Sequence, residues 1–241
     1  MKKKEKKNII LVHGWGITKK IWKNLIKHLK NKYNIFILEI CKFLEKNNLN
    51  KKKFNYIVNY MYKSFNKNSI WIGWSIGGLF VMQIGLNNYN KKSKIITICS
   101  SPCFLKKKSW EGIKKNKISN ILKNLLKNYK KTIKNFFIKN TKNKKFIKKI
   151  LTNQKIPKKN SIKKCFNIML KIDIRKLIKN SKSKIFRIYG ELDTLISNKI
   201  YKNIYIKKNN EYFVIKKSSH IPFLTHTKQL SKIINYILKK K

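Results

Sequence analysis

The run Ile70–Leu79, IWIGWSIGGL, constrains this chain more than any other stretch of it. Three strand-forming apolar residues, Ile70, Trp71 and Ile72, lead into Gly73-Trp74-Ser75-Ile76-Gly77, and the helix-compatible segment Leu79–Leu86 follows at once. A strand passing into a helix through G-x-S-x-G holds its serine at a strained turn, and glycines flank it because a Cβ there would collide with neighbouring backbone. The turn lifts the Ser75 hydroxyl above the sheet edge, and the N–H of Ile76, opening the helix, points to where an oxyanion would form. The competing reading is a glycine-rich βα turn with no chemistry.

The rest of the chain alternates in the same sense. Asn8–Val12 reads as a strand ending in His13-Gly14-Trp15-Gly16, a glycine turn whose backbone N–H groups can face a ligand. Thr18 is placed to cap a helix over Lys19–Lys30, Ile35–Ile40 is the next strand, and Cys41–Lys53 reads as a polar connection without an assignable role. An amphipathic helix over Phe54–Phe65 precedes the serine turn, and a strand over Ile95–Cys99 follows it, ending in Ser100-Ser101-Pro102-Cys103-Phe104. From Lys106 to Ser183 the strand signal disappears and the helix-like runs Ile118–Leu126, Ile133–Ile138 and Cys165–Leu177 replace it. Strand Ile185–Tyr189, helix Asn198–Ile206, strand Tyr212–Ile215 and helix Gln229–Leu238 complete the pattern. The expectation is an α/β chain with a mainly parallel sheet and helices on both faces. Residues 1–105 and 184–241 would form the core, and 106–183 a helical lid inserted between late strands.

Charge first suggests a different function. With 61 Lys+Arg against 8 Asp+Glu the net charge is +53, which would attract phosphate backbones. However, the lysines are spread through every segment beside Asn and Ile, with almost no Arg, whereas an evolved phosphate-binding face clusters its charge and recruits arginine. Lys, Asn and Ile share A/T-rich codons, so base bias at tolerant surface positions is the favoured reading and no nucleic-acid partner is expected. The four cysteines, Cys41, Cys99, Cys103 and Cys165, have no metal or redox spacing and read as buried thiols of a reducing cytoplasm. No stretch approaches the roughly 20 apolar residues needed to span a bilayer.

A serine hydroxyl needs a base, and the base needs a carboxylate to hold its tautomer. Of the eight carboxylates, Glu191 and Asp193 alone lie just past a late strand and downstream of Ser75, with Asp193 further out on its loop. His13 sits in the glycine turn, His28 on the polar side of a helix, and His226 is a possible decoy. His220, just past the last strand in a Ser-Ser-His loop, is placed to reach both Asp193 and Ser75. The order Ser…Asp…His is that of α/β-hydrolases.

HGWG at His13–Gly16, GWSIGG at Gly73–Gly78, SSPCF at Ser100–Phe104, YGELD at Tyr189–Asp193 and SHIPF at Ser219–Phe223 together resemble the BioH family, the pimeloyl-acyl-carrier-protein methyl ester esterases of biotin synthesis. The resemblance runs from Ile9 to the C-terminus. It implies an α/β-hydrolase with Ser75 as nucleophile, Asp193 as acid, His220 as base, and the N–H groups of Trp15 and Ile76 as oxyanion hole. The family's acyl-binding stretch matches Phe136, Phe137, Ile138, Lys139 and Asn140, which with Trp15, Ser75, Ile76 and His220 make up the expected substrate contacts. No cofactor or metal is implied. The partner would be an acyl carrier protein bearing a pimeloyl methyl ester, met by a cytoplasmic monomer. The family's leading β-structure is missing or trimmed ahead of Ile9, its glycine loop after the Ile35–Ile40 strand is absent, and lysines stand where family lids carry arginines. The rival readings are a less selective short-chain carboxylesterase and a cationic nucleic-acid-binding protein on an inactive hydrolase scaffold.

Overall fold

Six apolar runs form one all-parallel sheet in a computed structural model of the chain: β1 Asn8–Val12, β2 Asn34–Leu38, β3 Ile70–Trp74, β4 Ile95–Ile98, β5 Ile185–Gly190 and β6 Tyr212–Ile215, ordered β2-β1-β3-β4-β5-β6. The structure describes residues 6–15, 17–65, 68–87, 93–141, 147–148, 151–152, 156–197, 200 and 211–240. The helices are α1 Lys23–Leu29, α2 Ile40–Lys46, α3 Phe54–Lys63, α4 Ile76–Leu86, α5 Lys115–Lys127, α6 Tyr129–Asn140, α7 Lys159–Lys171, α8 Arg175–Asn180, α9 Pro222–Thr225 and α10 Thr227–Lys239, with a 3-10 turn at Lys19–Trp22.

The inner strands β3, β4 and β5 are buried along their whole length, as a parallel sheet covered on both faces requires, while the edge strands β2 and β6 are half exposed. Gly73 and Trp74, adjacent on β3, point to opposite faces. On the side of Gly73 lies α4, so close that a Cβ on Gly73 would stand 2.5 Å from the Gly77 carbonyl oxygen. On the side of Trp74 the ring of Phe223 from α9 packs at 5.0 Å, and Trp22 packs on Phe223 at 4.7 Å.

The sheet order also decides where a site can form. The chain leaves β1 towards β2 and then returns past it to β3, which makes a switch point with a crevice beyond the carboxyl ends of the strands. In register, Val12 lies beside Leu38 on one side and Gly73 on the other. The residues that follow, His13-Gly14-Trp15, Glu39 and Trp74-Ser75, are therefore gathered at one edge.

Several expectations are corrected. β2 stops at Leu38, and Ile40 opens α2 instead of closing the strand, because Ile40, Cys41 and Leu44 fall on one helical face and are buried. The supposed polar connection thus begins as a helix. Thr18 makes no side-chain cap, and the helix expected over Lys19–Lys30 divides into the 3-10 turn and α1. The run Cys165–Leu177 breaks between α7 and α8, where Asp173 bridges to Cys103 and the Ile174 N–H donates to the Pro102 carbonyl at 3.0 Å. The helix expected over Asn198–Ile206 lies outside the described residues except for Ile200. Between β4 and β5 the described chain runs through α5, α6, α7 and α8.

Lysine-rich sequence is compatible with this fold because, among the described residues, no lysine is buried in the core. In α10, Leu230, Ile234 and Ile237 are buried while Lys228, Lys232 and Lys239 are exposed. Among the described residues no helix is long and apolar enough to cross a membrane.

Candidate active site

Ser75 stands between β3 and α4 with φ 55° and ψ −128°, a left-handed conformation that costs a non-glycine residue about 1–3 kcal/mol. The surroundings enforce it. The Ser75 N–H donates to the Ile98 carbonyl at 3.0 Å, and its own carbonyl accepts from the Gly78 N–H at 2.9 Å and the Ser100 hydroxyl at 2.6 Å. A Cβ on Gly77 would lie 2.3 Å from the Val12 carbonyl oxygen, and one on Gly14 would lie 3.3 Å from the Ser75 Cβ. The turn after β1 and the start of α4 thus close on Ser75 from two sides, and these segments carry Trp15 and Ile76.

The acid loop leaves β5 through Gly190, which has no room for a side chain because a Cβ would meet the Ser219 carbonyl oxygen at 2.3 Å. Asp193 Oδ1 accepts the N–H groups of Leu195 at 2.8 Å and Ile196 at 2.9 Å. This leaves Oδ2 for His220, whose Nδ1 lies 2.7 Å away. With a carboxylate there, Nδ1 carries the proton and Nε2 keeps its lone pair. The alternatives are engaged elsewhere: Glu191 accepts the Lys217 N–H at 2.8 Å, and the half-buried His226 bonds to Thr225.

Ser75 and His220 line one narrow, almost filled cavity of about 10 Å³ whose other walls include Trp15, Phe104, Phe166 and Met169, an apolar set. Phe104 follows β4, and Phe166 and Met169 come from α7. The sequence could not single them out, since an apolar helix face reads alike whether it meets core or cavity.

The stretch Phe136–Asn140 lies outside that lining. Helical geometry turns Phe136 and Asn140 to one side, where the Phe136 ring meets His220 edge-on at 6.0 Å and Trp15 at 5.9 Å. Phe137 is fully buried in the packing of α6, while Ile138 and Lys139 face solvent. In this arrangement Phe136 and Asn140 turn towards His220, whereas Phe137 is buried and Ile138 and Lys139 are exposed; all five were expected to contact substrate.

Two further groups support the site. His13 donates from Nδ1 to the Gly14 carbonyl at 2.7 Å, and its Nε2 stands 3.8 Å from Glu39. Burial would raise the Glu39 carboxyl, but His13, the Lys42 ammonium at 2.5 Å and the Lys19 N–H at 2.9 Å outweigh it and hold the group down at about 2. Cys99, with φ 46°, brings its thiol within 4.8 Å of the ligating atoms of Asp193 and His220. Burial, followed by the charge of Asp193, raises that thiol well above its ordinary value, so it stays protonated. This trio has donor types that suit a soft cation, yet the Asp193–His220 hydrogen bond already occupies the space between two of them.

No family model matches the chain. It is 36% identical to a pimeloyl-acyl-carrier-protein methyl ester esterase of Wigglesworthia glossinidia brevipalpis, over 97% of this chain and 94% of that one. It is 27% identical to one of the same name from Aliivibrio fischeri, over 92% and 90%. Among solved structures, a bromoperoxidase from Bacillus anthracis superposes with a TM-score of 0.80 at 14% identity, covering 98% of this chain and 93% of that one. An esterase from Exiguobacterium antarcticum gives 0.79 at 12% identity, with 97% and 92% covered. At such identities these two show the fold, that of the α/β-hydrolases.

Proposed function

The chain belongs to the pimeloyl-acyl-carrier-protein methyl ester esterase family and is a carboxylic ester hydrolase; from that premise we propose how its own residues carry the reaction. Ser75 is the nucleophile. His220 Nε2 takes the hydroxyl proton as Ser75 attacks the ester carbonyl, and Asp193 holds Nδ1–H and stabilises the imidazolium that forms. The N–H groups of Trp15 and Ile76 receive the oxyanion. Collapse of the tetrahedral intermediate expels methanol, which takes its proton from His220, and leaves an acyl-enzyme. Water activated by the same imidazole then releases the free carboxylate. Every proton is handled by His220, and the reading calls for no cofactor.

In this reading the substrate is the methyl ester of pimeloyl-acyl-carrier protein, hydrolysed to the free acid and methanol by a cytoplasmic monomer. Residues 106–183 act as a lid whose inner face receives the acyl chain and whose lysines meet the acidic carrier. The observation that supports it most is the His220–Asp193 hydrogen bond of 2.7 Å at a cavity that Ser75 shares with apolar walls. The four thiols, none of them in a disulfide, are in keeping with a reducing compartment. Purified protein should convert pimeloyl-carrier methyl ester to a species one methylene lighter, with methanol released in equal amount. Hydrolysis of a free methyl ester of similar length at the same kcat/KM would replace this reading with a less selective esterase.

A further inference from the structure

We propose that Asn140 is a positioning residue for His220, fastening the loop that carries the imidazole to the C-terminal end of α6. This rests on the reading of His220 as the base. Asn140 is the last residue of α6 and makes three contacts. Its Oδ1 accepts the His220 N–H at 3.3 Å, its main-chain carbonyl accepts the Ser219 hydroxyl at 2.8 Å, and its Nδ2 donates to the Phe136 carbonyl at 2.8 Å. The contacts fix the orientation of the amide, since an N–H needs the oxygen on one side and a carbonyl needs the nitrogen on the other. Beyond His220, its own carbonyl accepts the Trp74 indole N–H at 2.7 Å. The peptide units before and after the His220 Cα are thus each held, one by the last residue of α6 and one by the strand that leads into Ser75.

With the backbone pinned at both ends, the imidazole has little freedom except about its own side-chain torsions. The Phe136 edge at 6.0 Å and Asp193 at 2.7 Å limit those. Side-chain contacts thus carry the position of α6 to the ring that must face Ser75. The amide of Asn140 itself lies outside the lining of the apolar cavity. A residue of this kind affects the rate through geometry, and displacements near 1 Å cost about a hundredfold.

The test uses Asn140→Ala and Asn140→Asp in the full chain. Asp keeps an oxygen for the His220 N–H. The first readout is the proton NMR signal of His220 Nδ1–H, which needs no turnover. In Asn140→Ala the signal should broaden, because the ring is held less firmly against the carboxylate; Asn140→Asp, which keeps an acceptor oxygen for the His220 N–H, should sharpen it again. The second readout is kinetic. Asn140→Ala should lower kcat about tenfold to a hundredfold on p-nitrophenyl acetate and on a pimeloyl methyl ester alike, with KM little changed. An unchanged Nδ1–H signal in Asn140→Ala would overturn the proposal. A raised KM for the pimeloyl ester alone would do the same, and would make Asn140 an acyl contact. If wild type showed no hydrolysis while the NMR changes appeared, the esterase reading would fail and the positioning role would stand. Should Asn140→Ala not fold, Ser219→Ala removes the other half of the fastening and must give the same signature more weakly.

Discussion

His220 Nδ1 stands 2.7 Å from Asp193 Oδ2 with both side chains withdrawn from solvent, and the second carboxylate oxygen is taken by two backbone N–H groups. The carboxylate therefore has one oxygen left, and the imidazole has one tautomer it can adopt. Asp193→Asn keeps the shape but presents an amide, which can favour the opposite tautomer and place a proton on Nε2. kcat should fall by about 10³ to 10⁴ while the unfolding midpoint moves little. A loss of less than tenfold on a p-nitrophenyl ester would mean that Asp193 does not set the tautomer.

Ser75 should trade stability for function. Its φ of 55° and ψ of −128° suit glycine, so Ser75→Gly should be inactive yet more stable by about 1 kcal/mol in chemical unfolding, whereas Ser75→Ala should be equally inactive without the gain. Equal stabilities of the two variants would show that the turn stores no strain.

Gly77 admits no side chain, because its Cβ would lie 2.3 Å from the Val12 carbonyl oxygen and 2.8 Å from that of His13. Gly77→Ala must push α4 away from the turn after β1, which bears Trp15. Both the melting temperature and kcat should drop, and in the proposed reading kcat should fall more than KM rises, since the oxyanion contact is made chiefly in the transition state. A fully active, equally stable Gly77→Ala would contradict the close packing at this point.

Much of this was legible beforehand because the inner strands are short, mostly apolar runs broken only by Thr97 and Arg187, and because the order Ser75, Asp193, His220 leaves few combinations. What was not legible depends on register. Glu39 reads as one more carboxylate near a strand end, and only the pairing of Val12 with Leu38 reveals that the next residues, His13 and Glu39, stand side by side. The face of α6 was equally hidden. FFIKN is apolar enough to suggest a wall throughout, and it takes the helix's rotation to send Phe136 and Asn140 towards His220 and Ile138 and Lys139 outwards.

Glu39 leads to a prediction about acid stability. Its carboxyl is depressed from 4.5 to about 2, so it binds a proton less readily folded than unfolded. Its contribution is fully present above about pH 4.5 and is lost as pH falls towards 2, amounting to at most about 3 kcal/mol. Glu39→Gln should therefore lower stability at pH 7 and show a flatter decline between pH 4.5 and 2 than wild type. Parallel stability curves for the two proteins across that range would mean that Glu39 is not tied down as described.

Partner choice should reside in the segment between β4 and β5, and charge provides the handle. Lys131, Lys134 and Lys139 on α6 are exposed, on the same helix that reaches His220 through Phe136 and Asn140. An acyl carrier protein is acidic, and exposed lysine pairs contribute about 0.2–1 kcal/mol each and are screened by salt, so several must act together. Raising the salt concentration should increase KM for the carrier-bound ester much more than for a small free ester. Reversing Lys131, Lys134 and Lys139 to Glu should slow the carrier substrate and spare the free one. Net charge alone would give a similar result, so the control has to sit elsewhere on the molecule. Lys30 and Lys32, just ahead of β2, and Lys182, just ahead of β5, are exposed at the amino-terminal edge of the sheet, away from Ser75. The same three-charge reversal there should leave the carrier substrate nearly untouched. If both triple variants lost the same activity on it, the lysines of α6 would be acting only through the charge of the whole surface.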